Sequence, residues 1–350
     1  MNTTLTGTVI AVEANFYRVR LDVELANECG HSELLCVRRA RLKKIGQQVY
    51  VGDRVTVKEP DWQGQRGAIS FVEERYNLLD RPPIANVDRV LLVFALTNPE
   101  LDSFQLSRFL VNIAASNIPV IICLNKCDLI PDRQAIYWRD RLHTWGYDAM
   151  AISTYTGKGI ELLKDKIAEG VTIMSGPSGV GKSSLINLLI PGLEIRVGSV
   201  SKGVGLGRHT TRHVELFELS DRGFLADSPG FTQPTLTCEP IDLADCFPEA
   251  RRLLASESCQ FYDCLHQDEP GCVVRGDWER YAHYCQFLSE VEANQGKVLA
   301  SSTPETSLKS KAIAGGKVQQ EPKLLKKRHR RQSRRFEHQN LDALYHEEDL

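Results

Sequence analysis

The sequence predicts a multidomain chain with four parts: an N-terminal all-β barrel, a central α/β unit with a mostly parallel sheet, a C-terminal mostly α-helical cysteine-rich module and a disordered basic tail. Three observations lead to this. Residues 5 to 75 contain five short polar/apolar alternating segments broken by Gly, Asn or Asp. From Asp80 onward, continuously apolar runs alternate with helical patterns. After about residue 236 cysteines cluster, and from residue 297 Ser, Thr, Lys and Gly dominate. The expected boundaries are 1–79, 80–236, 237–296 and 297–350.

The barrel segments are LTGTVIAVE, FYRVRLDVE, ELLCVRRARL, DRVTVKE and GAISFVEER, with no helix expected between them. Five such strands in about 75 residues suit an OB-fold. In the α/β unit, RVLLVFAL, PVIICLN, DAMAIS, GVTIMSG, HVELFEL and GFLADS read as strands. Patterns such as SFQLSRFLVNIAAS and GIELLKDKIAE read as helices between the first four. A further helix is expected from Asp277, over DWERYAHYCQFLSEVEAN.

Composition narrows the class. With 25% charged and 42% hydrophobic residues, the chain reads as soluble and globular. No apolar run approaches the roughly 18 residues of a membrane span, and the first residues lack a signal-peptide layout, so a cytoplasmic protein that does not engage a membrane is expected. Ten cysteines in such a chain should be thiols or metal ligands rather than disulfides. The net charge of −2 hides two basic runs: five Lys or Arg between Arg38 and Lys44, and eight between Lys323 and Arg335. Such runs suit a polyanionic partner.

The segment GPSGVGKSS comprises Gly176, Pro177, Ser178, Gly179, Val180, Gly181, Lys182, Ser183 and Ser184. It fits G-x-x-x-x-G-K-[ST], with an apolar strand before it and an apolar helix after it. In such a loop the glycines let backbone N–H groups curl around phosphate oxygens. Lys182 reaches the β and γ phosphates, and the Ser183 hydroxyl holds Mg²⁺.

The base is read elsewhere. Asn125, Lys126 and Asp128 form N-K-x-D after the apolar strand ending at Leu124. A carboxylate at Asp128 accepts two hydrogen bonds from guanine N1–H and its 2-amino group. Adenine would leave that charge unpaired, which is worth ~10⁴-fold or more in selectivity. AISTYTGKGI, with Ser153, has the look of a second guanine-contacting loop. Asp227-Ser-Pro-Gly230 ends a strand as an expected Mg²⁺ and γ-phosphate sensor, and either Thr210 or Thr211 would complete the Mg²⁺ shell.

These motifs stand in the order N-K-C-D, S-T-Y-T-G, phosphate loop, threonines, D-S-P-G. That is a cyclic rotation of the usual GTPase order. In an open parallel sheet all of these loops converge at the carboxyl ends of the strands whatever the order of connection. The C-terminal module offers Cys259, Cys264, His266 and Cys272, spaced C-x₄-C-x-H-x₅-C. Four soft ligands and no open position suit a single structural Zn²⁺. Cys29, His31 and Cys36 offer only three ligands inside a strand pattern and are not expected to bind metal.

Together, N-K-C-D, G-P-S-G-V-G-K-S-S, G-R-H-T-T, D-S-P-G-F and C-x₄-C-x-H-x₅-C, from about residue 5 to 295, resemble the circularly permuted ribosome-biogenesis GTPases of the RsgA or YjeQ family. The resemblance implies a monomeric GTPase cycling between GTP and GDP, stimulated by the small (30S) ribosomal subunit late in its maturation, with 16S rRNA contacted by the barrel and the zinc module. Other GTPases place a water-orienting Gln directly after D-x-x-G. That position is Phe231 here, and Gln233 comes two residues too late. Hydrolysis should therefore be slow unaided, and the family's G-R-H-T-T implies a catalytic role for His209 beside Lys182. Two other readings stand: an RNA-binding assembly scaffold with GTP as a structural ligand, and an ATP-dependent enzyme if N-K-C-D is accidental.

Overall fold

The computed structural model describes residues 5–22, 26, 30–80, 83–190, 192–193, 214–220, 222–227, 236, 238–302, 308–313 and 317–322. Strands β1 (Leu5–Glu13), β2 (Phe16–Leu21) and β3 (Glu33–Arg38) are followed by helix α1 (Ala40–Lys44), β4 (Arg54–Asp61) and β5 (Arg66–Val72). They close into a barrel in the order β1-β2-β3-β5-β4, with β3 and β5 parallel and the other pairs antiparallel. This is the OB-type barrel expected, with one correction. The last three residues of the expected strand ELLCVRRARL, Ala40 to Leu42, instead begin the helix Ala40–Lys44. Leu42 explains why: one helical turn drops it into the barrel core beside Val49, while Arg41, Lys43 and Lys44 face outward.

The barrel core consists of the alternate residues Val9, Val19, Leu21, Leu34, Cys36, Val55, Val57 and Ile69. Strand β1 breaks its alternation once. A bulge between Val9 and Ala11 frees Ile10 from the pairing with β2. Ile10 is buried in the core of the next domain rather than in the barrel. Re-aiming a side chain is the usual consequence of a bulge. Strands β6 (Leu78–Asp80) and β7 (Pro83–Ala85) form a small ribbon between the two parts, where Ile84 bridges to Val51.

The second domain comprises β8 (Arg89–Ala95), α2 (Ser103–Ala114), β9 (Val120–Asn125), α3 (Asp132–Thr144), β10 (Ala149–Ala151), α4 (Ile160–Lys166), β11 (Glu169–Ser175), α5 (Lys182–Leu189), β12 (Leu216–Ser220) and β13 (Arg222–Asp227). The sheet order is β10-β9-β8-β11-β13-β12, parallel throughout except for the antiparallel edge strand β12. Strand β8 shows why continuous apolar runs belong here. Val90, Leu92 and Phe94 pack on the side of α2 and α3, while Leu91, Val93 and Ala95 pack on the side of α4 and α5. Helix α2 is started by Asp102, whose carboxylate accepts from the Phe104 and Gln105 amides.

The C-terminal module holds α6 (Pro248–Ser256) and the start of α7 (Tyr281–Ser302), which begins four residues later than Asp277. Its core of Phe247, Tyr284, Phe287 and Leu288 is contiguous with Val111 of α2. Arg280, fully buried, pairs with Glu249 and lies against the rings of Trp145, Tyr147 and Phe247.

The chain divides into two units, Met1–Val291 and Glu292–Leu350, and α7 runs across the division. In the second unit, β14 (Leu308–Ile313) and β15 (Lys317–Pro322) form an antiparallel ribbon. The helix to Ser302 and this ribbon occupy part of the stretch for which the sequence implied no regular structure. The basic run from 323 to 335 lies outside the described residues. Among those residues no helix is long and apolar enough to cross a membrane.

Candidate functional site

The phosphate-type loop lies where the strand-loop-helix grammar puts it, between β11 and α5. Three of its glycines have positive φ: Gly176, Gly179 and Gly181. Two of them are required by space as well. A Cβ on Gly176 would lie 2.1 Å from the Val93 carbonyl oxygen, and one on Gly181 would lie 2.4 Å from Asn125 Nδ2. Lys182 Nζ donates to the carbonyls of Gly176 at 2.8 Å and Pro177 at 2.5 Å, and both Lys182 and Ser183 are buried. The lysine thus lies folded over the loop's own backbone, within reach of whatever the loop holds.

Three further loops meet this one at the carboxyl ends of the strands, as an open parallel sheet requires. Asn125, at the end of β9 and fully buried, donates from Nδ2 to the Val180 carbonyl at 2.9 Å and accepts from the Thr154 amide at 3.1 Å. Lys126 has left-handed backbone, φ 62°, and its Nζ donates to the carbonyls of Gly179, at 2.8 Å, and Asn98. Asp128 stands on a single 3-10 turn, Cys127–Leu129, and accepts at Oδ1 from Ser153 Oγ at 2.6 Å. Ser153 Oγ in turn accepts from the amides of Tyr155 and Thr156. Asp128 therefore has one oxygen held by a hydroxyl while the carboxylate keeps accepting capacity for a planar donor pair.

Strand β13 ends at Asp227, which is in register with Met174 beside the phosphate-type loop. Of the expected residues, the structure brings together Asn125, Lys126, Asp128 and Ser153 with the loop 176–184. His209, Thr210, Thr211 and Gly230 lie outside the described residues. Thr154, which braces Asn125, stands inside the S-T-Y-T-G motif but was not singled out, and Asn98, which holds Lys126, had no motif to announce it. Their contribution is a backbone group or a single hydroxyl at a turn.

The four C-terminal ligand candidates also converge. One donor atom from each of Cys259, Cys264, His266 and Cys272 lies within 4.8 Å of the other three. His266 Nδ1 is 3.6 Å from Cys259 Sγ and 3.4 Å from Cys272 Sγ, and the two sulfurs are 4.0 Å apart. Zn–S bonds of about 2.3 Å and Zn–N bonds of about 2.0 Å in a tetrahedron require separations of ~3.8 Å and ~3.5 Å. The donor set therefore fits a closed tetrahedral ion. His266 has a strained φ of 61°. Its loop is held by Glu269, which accepts from the Leu265 and Gln267 amides, each at 2.8 Å, and by Tyr281 and Tyr284, whose hydroxyls donate to the His266 and Leu265 carbonyls. Burial holds the His266 imidazole below its ordinary range and pushes the Cys264 thiol up to about 12. None of these supporting residues was legible from the ligand spacing.

The other thiols are free among the described residues. Cys36, Cys123, Cys127 and Cys246 are buried, and burial pushes Cys36 and Cys123 up to about 12.

Comparison with known proteins agrees with this arrangement. Residues 72–237 match the family model described as RsgA GTPase. The small ribosomal subunit biogenesis GTPase RsgA 1 of Nostoc sp. is 51% identical over 99% of this chain and 98% of its own length. A mitochondrial counterpart from Arabidopsis thaliana is 41% identical over 96% of this chain and 85% of its own length. Among solved structures, YjeQ from Thermotoga maritima superimposes with a TM-score of 0.69 at 31% identity, covering 83% of this chain and 99% of that one. YloQ, described as a circularly permuted GTPase, also gives 0.69, at 30% identity, covering 84% and 96%. With the rotated loop order meeting at one sheet end and relatives this similar along nearly the whole chain, the protein belongs to the RsgA family of circularly permuted GTPases.

Proposed function

We propose that this protein is a slow GTPase accelerated by the small ribosomal subunit, and that its GTP or GDP state governs binding to and release from that subunit late in maturation. The observation that carries the reading is the Asn125 side chain, which joins the base-reading loop to the phosphate loop. Asp128, oriented by Ser153, reads guanine N1–H and the 2-amino group. The amides of Ser178 to Ser184 cradle the phosphates. Lys182 exchanges its two loop carbonyls for β and γ phosphate oxygens and so stabilises charge that develops on them.

Ser183, Asp227 and one of Thr210 and Thr211 would hold Mg²⁺, and the buried Ser183 hydroxyl at the start of α5 suits that role. When bound, the ion neutralises charge on the β and γ phosphates. Gly230 offers its N–H to the γ-phosphate. His209 orients the attacking water, a task Phe231 cannot perform. Cys259, Cys264, His266 and Cys272 would hold one structural Zn²⁺. The barrel, with its basic helix α1, and the zinc module contact 16S rRNA of a single subunit. The protein acts as a monomer in the cytoplasm. The working domains are 1–79, 80–236 and 237–296, with the tail 297–350 beyond them.

The test is GTP turnover with and without purified small subunits. Acceleration is expected, and its absence overturns the reading. Equal affinity for the subunit with GDP and with a non-hydrolysable GTP analogue would favour a scaffold instead. His209→Ala should keep nucleotide affinity and lose the acceleration.

A further inference from the structure

We propose that Arg18 and Arg20 of the barrel are positioning residues for the stimulated hydrolysis step, acting through Glu215 and Glu218 beside and on β12. The inference rests on the GTPase reading above. Its basis is the seam between barrel and sheet. Arg18 pairs with Glu215, and Arg20 Nη2 lies 2.6 Å from Glu218 Oε1. The same edge carries a backbone bridge from Ala11 to Glu215. The bulge next to Ala11 sends Ile10 into the core that also contains Val214, Leu216, Phe224 and Ala226. One short stretch of β1 and β2 thus grips the outer strand of the sheet by an apolar plug, a backbone bridge and two ion pairs.

The gripped strand is the one that matters for hydrolysis. Glu215 lies four positions after Thr211 in the chain. Strand β12 pairs with β13, Leu216 opposite Ala226 and Glu218 opposite Phe224, and β13 ends at Asp227. The antiparallel pair β12–β13 therefore connects two stretches to which the proposed function assigns magnesium ligands. Beside the ion pairs lies a cavity of about 490 Å³ lined by Arg20, Arg54, Tyr76, Asp88, Arg222 and Phe224. A shift of the barrel at this point carries with it both the buried Ile10 plug and the carboxylates held by Arg18 and Arg20. Binding of the barrel to RNA would in this way set the register of β12, and with it the geometry at the γ-phosphate.

The experiment uses the full chain in three charge-reversal forms: Arg18→Glu with Arg20→Glu, Glu215→Arg with Glu218→Arg, and all four together. Steady-state GTP turnover is measured with saturating small subunits and without them, and sedimentation with a non-hydrolysable GTP analogue reads subunit binding. Each double variant should lower the stimulated kcat roughly tenfold, the scale of an ordinary coupling between sites. KM for GTP and unstimulated turnover should not change. The quadruple variant, in which the pairs are re-formed with reversed sign, should return to within about twofold of the parent.

Arginines that touched RNA themselves would give a different pattern. Only the arginine variant would sediment poorly, and the quadruple variant would not recover; that result overturns the proposal, as does undiminished stimulation in either double variant. If charge reversal unfolds the chain, Arg18→Gln with Arg20→Gln reads the same loss of stimulated kcat, and its absence there is equally fatal. A parent protein without acceleration overturns the GTPase reading itself, which is a separate result.

Discussion

Asn125 and Val180 are 55 positions apart in the chain and are joined by a 2.9 Å hydrogen bond from the side-chain amide to the backbone carbonyl. The bond lies between two loops that a cyclic rotation has placed in reverse order, and it explains why the rotation is harmless. The loops are neighbours through the sheet, and a side chain closes the gap between them. Asn125→Ala removes this bond and the acceptor for the Thr154 amide in a fully buried setting. A loss of ~1–3 kcal/mol in the hold between the two loops predicts a rise in Kd for both GTP and GDP of about fivefold to 150-fold. Titration calorimetry checks this, and unchanged affinity would mean the two loops are held by other contacts.

Asp128 and Ser153 should separate affinity from selectivity. Asp128→Ala removes the acceptor pair for guanine, so the preference for GTP over ATP should fall from ~10⁴ to about tenfold or less. Ser153→Ala leaves the carboxylate but not its orientation, and should weaken GTP binding by less than Asp128→Ala does. Competition between labelled GTP and ATP reads both. A selectivity retained in Asp128→Ala would remove that residue from base reading.

Removing metal from the C-terminal module should be more damaging than any single core substitution there. Apparent energies of ~10–16 kcal/mol for such sites match or exceed the ~5–15 kcal/mol that holds a typical domain together. Treatment with a chelator, or Cys259→Ser, should abolish a one-to-one zinc content and the hydrogen-exchange protection of the loop whose Leu265 and Gln267 amides are tied to Glu269. Protection that survives complete metal loss would show that Tyr281, Tyr284 and Glu269 suffice to hold the loop.

Arg280 is fully buried against three aromatic rings with Glu249 as its ion partner. Glu249→Leu alone leaves that guanidinium uncompensated and should cost ~3–5 kcal/mol in urea unfolding. Replacing both, Arg280→Met with Glu249→Leu, should cost much less, because the aromatic box accepts an apolar chain of similar length. Equal losses in the single and double variants would deny the asymmetry.

Asp22 links the barrel strands to acid stability. Arg54 holds its carboxylate below the ordinary range by a hydrogen bond, against an opposing effect of burial. A depressed folded value means the contribution is complete above the unfolded value of about 3.9 and fades as pH falls through the folded one. Because the pair is about one-third exposed, its worth is below ~1 kcal/mol. Asp22→Asn should therefore be slightly less stable than the parent at pH 7, with the gap shrinking as pH falls below about 3.9. A gap that widens on acidification would reverse this assignment.

Much of the candidate site was legible in the sequence because its chemistry is local. A turn that curls around phosphate needs glycine at fixed positions, and Gly176 and Gly181 have the positive φ that this demands. The guanine reader and the four metal ligands are likewise short patterns whose side chains must sit close together. Continuous apolar runs such as Arg89–Ala95 identified a sheet buried on both faces, and only the antiparallel run of β12 at its edge went unstated.

What the tertiary structure decided lies in long-range pairing, where a residue's partner is not encoded near it. Ala40–Lys44 turned helical because Leu42 had a barrel core to fill, not because five residues favour a helix alone. The bulge that sends Ile10 across the seam lies inside the apolar run from Val9 to Val12, which does not say where the pairing shifts. Arg18 and Glu215, 197 positions apart, meet only once two domains have folded and packed. The sequence by itself determined which groups could hold nucleotide and metal, since those demands act over a few bonds. Only the packed structure decided which strand the barrel grips, since that depends on register and on the free energy of burying surfaces far apart in the chain.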